Sequence, residues 1–231
     1  MIRDVVLLPS LGRPASDFDA LSASLRHAGY RPHAIDPPAT APADATLHDL
    51  AAVVAHHLDS NGIDRTHLVG HAFGNRLART LTADNPSLVA SLTLLAAGGY
   101  EPVRPDIEMS LHACFDETLS ADDHLHHVAN AFFALGNDAS VWRDGWMPAV
   151  ARLQGGAVRR TSRSDWWDAI APRVLVVQAL QDMIAVPANG RRYVADHRDV
   201  AALVEIDGAG HAMLPERPDL IADAVVRFLD G

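Results

Sequence analysis

Three short stretches carry residue types that do chemistry together when a fold brings them to one place. Gly70-His71-Ala72-Phe73-Gly74 follows the β-rich run Thr66–Val69 and opens a helical pattern. Glycines two residues either side of a central position, at a strand-to-helix turn, are what a nucleophile elbow requires. The central residue takes a strained backbone conformation, and side chains at its ±2 neighbours would collide where strand and helix cross. Here the central residue is Ala72, which has no nucleophilic atom. Gln181-Asp182 follows the run Val174–Gln178, and Gly208-Ala209-Gly210-His211 follows Ala202–Ile206. An imidazole held by a carboxylate is a general base: it takes the proton of an attacking group and later returns it to a leaving group. The acid fixes its tautomer and stabilises its cation. All three residues fall just beyond the C-terminal ends of predicted strands, so a parallel sheet can gather them at one edge.

The elements around these stretches alternate. Strands are predicted at Asp4–Leu8, Tyr30–Ile35, Thr66–Val69, Leu88–Leu95, Val174–Gln178 and Ala202–Ile206. Most are near-continuous Val/Leu/Ile runs of the kind buried on both faces of a parallel sheet. Helical patterns lie between them at Asp17–Ala28, Leu47–Asn61, Phe73–Asn85, Ala188–Ala195 and Pro218–Leu229. Gly29 and Gly62 mark C-terminal stops, and Pro86 ends the third helix. This spacing predicts right-handed βαβ units and an α/β fold with a doubly wound, mostly parallel sheet.

From Gly98 to about Trp167 the alternation stops. Only helical fragments are predicted there, at Ile107–Phe115, Ala121–Leu135 and Trp142–Arg152, separated by turns at Gly136-Asn137 and Gly155-Gly156. Eight of the 13 aromatic residues fall within Tyr100–Trp167, less than a third of the chain. The segment reads as a helical insertion over the C-terminal edge of the sheet, where open α/β sheets bind ligands, with its large side chains lining a pocket. A second small lobe, whose aromatics fill its own core, is the alternative. Trp142, Trp146 and Met109 are the candidate substrate-contacting residues. Pro37-Pro38-Ala39-Thr40-Ala41-Pro42 is a short Pro-rich loop.

Composition narrows the function classes. At 231 residues the chain fits one domain, and 48% hydrophobic with 21% charged residues is an ordinary globular mixture. A net charge of −10 disfavours nucleic acid and anionic membrane as partners. All 19 basic residues are arginines, which rules out Schiff-base chemistry, a phosphate-loop lysine and pyridoxal-phosphate enzymes. Cys114 is the only cysteine, so there is neither a disulfide framework nor a multi-cysteine metal site. The apolar run Val5–Leu8 is too short for a signal peptide or membrane span, so a soluble, cytoplasmic protein is expected. The expected partner is a small-molecule substrate, and a homodimer is compatible with the sequence. No cofactor is implied, because there is no Gly-x-Gly-x-x-Gly opening and no metal set.

With these residues in register, the chain resembles the α/β-hydrolase fold superfamily from about Asp4 to Leu229. That family's motif is Gly-x-Ser-x-Gly, and the frame stands here with Ala72 in the serine's place. Its triad runs in the order nucleophile, acid, histidine, which matches Ala72, Asp182 and His211. The resemblance implies a core over residues 1–97 and 168–231 and a helical cap over 98–167. It also implies about six strands, the first two of full-length members being absent. Leu8-Pro9-Ser10-Leu11-Gly12 stands where the family has its oxyanion loop. By that position the Leu11 N–H is one oxyanion donor and the Phe73 N–H the other.

Other roles compete for some of these residues. His211 could cap the last helix, and Asp182 could be an ordinary helix N-terminal acid. Glu101 is a rival triad acid, since some family members place theirs after the preceding strand. His124 and His127 share a helix face at i, i+3 in Asp122-Asp123-His124-Leu125-His126-His127, yet no further ligand cluster of matching spacing exists, and a solvated polar face is the better account. His71 is expected to be a packing and hydrogen-bonding neighbour.

Ala72 itself has two accounts. Either serine belongs at this position and was replaced, giving an inactive Ser-to-Ala variant, or the chain is a catalytically dead ligand-binding protein on the same fold. The intact acid, histidine and glycines favour the first. The function expected is then a serine hydrolase forming an acyl-enzyme on an ester, lactone or thioester of a medium-sized apolar substrate. Amide and C–C bond hydrolysis use the same triad, and an aspartate at the elbow would serve dehalogenation or epoxide opening.

Overall fold

Successive residues of the central strands serve two different cores. In β1 (Asp4–Leu8), Val6 and Leu8 pack on one side of the sheet and Val5 and Leu7 on the other. The same division holds in β3 (Thr66–His71), β4 (Val89–Leu95) and β5 (Val174–Ala179). Apolar on both faces, these strands require helices on both, and each fully buried Leu or Val stabilises the fold by about 1.5–3 kcal/mol. The computed structural model describes residues 2–38 and 40–231, so Ala39 of the Pro-rich loop lies outside the described residues.

The sheet has six strands in the order β2-β1-β3-β4-β5-β6, every pair parallel. Its edges are β2 (Arg31–Ala34), which tolerates Pro32 because one side of its ladder is free, and the half-exposed β6 (Ala201–Ile206). One core takes α2 (Leu47–Ser60) and α3 (Phe73–Asp84); the other takes α1 (Asp19–His27) and the C-terminal helix (Pro218–Asp230). The doubly wound parallel sheet expected from the sequence is therefore present. Helix α2 starts on a capping box in which Thr46 and Asp49 satisfy each other's backbone.

Between β4 and β5 lie α4 (Pro105–Ala113), α5 (Ala121–Phe132) and α6 (Pro148–Arg160). The boundaries of α6 correct the expected helix Trp142–Arg152. Trp142 ends a separate 3₁₀ turn, Pro148 provides the helical start, and Gly155-Gly156 lies inside α6 and not in a turn. Nothing rigid demands glycine at either position: a Cβ on Gly155 or Gly156 would meet only the guanidinium ends of Arg159 or Arg160. Most aromatics of this segment fill its own core. Phe132 packs edge-on against Trp142 and Trp146, and Phe115 against Trp146. Cys114 belongs to the same cluster, and burial pushes its thiol pKa up to about 12. The chain continues through α7 (Pro187–Asp196) and α8 (Met213–Glu216) to α9, the C-terminal helix. No helix among the described residues is long and apolar enough to cross a membrane.

Candidate active site

The turn from β3 into α3 places Ala72 at φ 52°, ψ −106°. Ala72 and Ala96 are the two non-glycine residues with left-handed backbone among those described, and both border the same cavity. Such strain concentrates where a fold over-determines a functional turn. Packing explains the flanking glycines. A Cβ on Gly70 would overlap the Gly74 carbonyl and the Asn75 amide, and one on Gly74 would overlap the backbone of Leu8 and Pro9. The elbow is thus wedged against the end of β1.

Asp182 and His211 meet at the same sheet edge. His211 Nδ1 donates to Asp182 Oδ2 at 2.9 Å and lies 3.1 Å from Oδ1; the two residues are 4% and 3% exposed. Asp182 Oδ1 also accepts the amides of Ile184 and Ala185 at 2.9 and 2.8 Å, which fixes the carboxylate before the imidazole arrives. With Nδ1–H committed to the acid, Nε2 is left as the acceptor. Glu101 is exposed, lines the cavity and pairs with no histidine among the described residues. His71 is buried and donates from Nε2 to the His211 carbonyl at 2.8 Å.

Four polar residues that sequence reasoning missed hold these loops. Gln181 accepts the Gly208 amide at 2.8 Å, tying the acid's loop to the histidine's. Glu216 accepts Gly210 N–H on one oxygen and Ala134 N–H on the other, each at 2.7 Å. Gln154 of α6 accepts Gly12 N–H at 2.8 Å, while Met147 N–H donates to the Gly12 carbonyl at 2.9 Å. Asn189 accepts the amides of Tyr100 and Glu101. No spacing rule in the sequence marks them: Gln181 lies in a turn, and the others lie in three different helices.

A cavity of about 240 Å³ opens over Ala72 and His211. Leu11 and Phe73 both line it, and neither amide donates to a protein acceptor among the described residues. Two free N–H groups beside a strained elbow can hold a developing oxyanion. Arg76, one turn along α3, lines the cavity as well, as do Gly155, Val158 and Arg159 of α6.

Trp142, Trp146 and Met109 do not line this cavity, which corrects the expectation for them. Arg13 draws both tryptophans away: its guanidinium stacks 4.4 Å from the Trp142 ring and 4.7 Å from that of Trp146, and Trp142 is 3% exposed. Met109 stands 65% exposed on α4. Phe132 is the aromatic residue the segment contributes to the lining. His124 and His127 are engaged with the Cys114 carbonyl and the Ser110 hydroxyl. Among the described residues no group of three or more metal-ligating side chains converges.

An acid–imidazole pair set opposite a strand-to-helix elbow at one rim of a parallel sheet defines a class of proteins built around hydrolytic chemistry. The chain belongs to the alpha/beta hydrolase family, whose sequence model matches residues 5–224. Among curated relatives, the "Putative carbamate hydrolase RutD" of Variovorax paradoxus (strain S110) is 34% identical over 125 residues, covering 52% of this chain and 45% of that protein. The protein of the same name from Caulobacter sp. (strain K31) is 25% identical over 206 residues, covering 80% and 74%. The chain thus spans less than half the length of the first of these relatives. The crystal structure of "Putative non-heme bromoperoxidase BpoC" from Mycobacterium tuberculosis H37Rv superposes with a TM-score of 0.82 over 100% of this chain and 92% of that one. At 22% identity that likeness is one of fold.

Proposed function

We propose that this chain hydrolyses the acyl carbon–heteroatom bond of an ester, lactone, thioester or carbamate in the cavity over Ala72. The observation that carries the reading is the buried Asp182–His211 pair bordering a cavity that two unpaired amides also border. Carbamates enter the class through the name of the RutD relatives. Residues 98–167 act as the cap, since they supply one wall of the cavity.

Ala72 decides the order of events. A serine at this position would attack the carbonyl carbon while His211 takes its proton. The Leu11 and Phe73 amides would hold the oxyanion, the leaving group would depart with that proton, and water would cleave the acyl-enzyme. With alanine, the space of the hydroxyl is open to a water molecule. His211 then takes a proton from that water as its oxygen attacks the carbonyl carbon. Collapse of the tetrahedral oxyanion breaks the bond to the alcohol, thiol or amine leaving group, which receives the proton from His211. One water is consumed and no covalent intermediate forms. Sites without their nucleophile retain about 10³–10⁴ over the uncatalysed reaction.

A ligand-binding protein without chemistry is the second reading, and Ala72 is the observation that favours it. The chain and its Ala72→Ser variant separate the two, assayed on p-nitrophenyl acetate, a p-nitrophenyl carbamate and a fluorophosphonate label. Slow hydrolysis by the chain that disappears in His211→Ala, with labelling confined to Ala72→Ser, supports the hydrolase. Absence of hydrolysis and labelling in both proteins rejects it in favour of binding alone.

A further inference from the structure

Arg76 is out of keeping with the other arginines set into the fold. Arg13, nearly buried, is paired with Asp17 at 2.8 Å, and the fully buried Arg79 donates to Asn75 and to the Gly98 carbonyl. The Arg76 guanidinium has no hydrogen-bond acceptor and no carboxylate within 4 Å among the described residues; it lies 5.5 Å from the Trp166 ring, and its charge also acts on Arg79. It is partly buried, and its open side is the cavity over Ala72. A guanidinium stays charged at every relevant pH, and leaving one desolvated and unpaired is costly unless an anion arrives. Burial lowers the pKa of Arg76, in the direction of that cost.

A second arginine lines the same cavity. Helix α6 turns Gly155, Val158 and Arg159 toward it, and Arg159 folds back over the bare Gly155, where a Cβ would sit 3.4 Å from Nη1. Arg159 has no acidic partner among the described residues either, but it is exposed, so its charge is solvated and only Arg76 carries a desolvation cost. The exposed Glu101 is the one acidic side chain in the lining and reaches neither arginine. The volume, about 240 Å³, falls below the roughly 300–1,000 Å³ usual for drug-sized ligands.

We infer that Arg76, helped by Arg159 of α6 in the same lining, forms a carboxylate subsite, and that the substrate is a small compound bearing a carboxylate a few atoms from the bond to be cleaved. This rests on the hydrolase reading only for the cleaved bond; the subsite itself is a statement about binding. Arg76 follows the elbow by one helical turn, so its fork is presented on the side of the cavity adjoining Ala72, where it can bind a carboxylate in bidentate fashion. The inference replaces the mainly apolar, medium-sized compound expected from the sequence.

The test begins with binding to the chain as it stands, where turnover by a serine is absent. Calorimetric titration with monomethyl succinate should give a dissociation constant at least about ten-fold lower than dimethyl succinate, its neutral counterpart, as a charge-assisted contact provides. Arg76→Gln should collapse that ratio toward one, Arg76→Lys should restore part of it, and Arg159→Gln should reduce it by about three-fold. Equal binding of the two esters by the unsubstituted chain overturns the subsite, and this comparison needs no variant to fold. An unchanged ratio in a folded Arg76→Gln protein also overturns it. In the Ala72→Ser background, kcat/KM for p-nitrophenyl hemisuccinate should exceed that for p-nitrophenyl butyrate. Selective binding without hydrolysis removes the hydrolase reading and leaves the subsite standing; hydrolysis of both without preference does the reverse.

Discussion

His71 donates its Nε2 proton to the carbonyl oxygen of His211 across 2.8 Å, so the residue just before Ala72 holds the backbone of the base. Their rings lie 5.5 Å apart. Burial, reinforced by the facing His211, pushes the His71 pKa down to about 3, which keeps His71 neutral near pH 7.

That neutrality makes stability depend on pH. Between pH 6.5, the ordinary value for histidine, and about 3, the unfolded chain binds a proton at residue 71 that the folded chain refuses. Stability from this group is complete above the upper value and declines as pH falls through the window. From pH 7 to about 4.5 the loss is roughly 2–3 kcal/mol. Urea titrations at the two pH values should show a smaller loss for His71→Asn. Equal losses in the two proteins would mean that residue 71 titrates normally.

The acid's identity is open to a direct kinetic comparison. In the parent chain or its Ala72→Ser variant, whichever is active, Asp182→Asn should lower kcat by about 10³–10⁴, the size expected when an imidazole loses its orienting carboxylate. Glu101→Gln, at an exposed position, should change kcat by less than about three-fold. Full activity in Asp182→Asn with loss in Glu101→Gln would transfer the acid's role to Glu101.

Glu216 holds Gly210 of the histidine loop on Oε2, while Oε1 accepts Ala134 N–H at 2.7 Å and Asn137 Nδ2 at 2.6 Å, tying that loop to the helical segment. A glutamine has one acceptor oxygen in place of two, so Glu216→Gln leaves a buried N–H facing another donor. Each such group costs about 1–3 kcal/mol. Chemical denaturation should register a loss of that order, and turnover should fall more than KM rises because the loop carries His211. A variant as stable as its parent would show that the loop is held from elsewhere.

What could be read in advance follows from how local each signal is. The elbow was legible because Gly70 and Gly74 report a collision between their own strand and helix. Asp182 and His211 were legible because strand ends in a parallel sheet share an edge. Orientation within the helical segment was not. Aromatic composition said that Trp142 and Trp146 would be buried, but their partner Arg13 lies more than a hundred residues earlier, and it turned them from the cavity. Gln154 and Glu216 act on backbone groups 142 and 82 positions away, and no spacing rule connects such pairs. Gly155-Gly156 resembled a turn by type alone, whereas α6 runs straight through it, a reminder that glycine lowers helix propensity without forbidding a helix.

Gly12 ties two parts of the chain that a modular view would treat as separable. Its N–H ends on Gln154 and its carbonyl on Met147, and a Cβ there would run into Phe115 and Ala151. The stretch after β1 and the helices after β4 therefore have to be inherited as a matched set. Transplanting residues 98–167 from a relative, a common route to altered selectivity, would import a foreign seat for the neighbouring Leu11 amide. A chimera made that way would change its preference and its rate together.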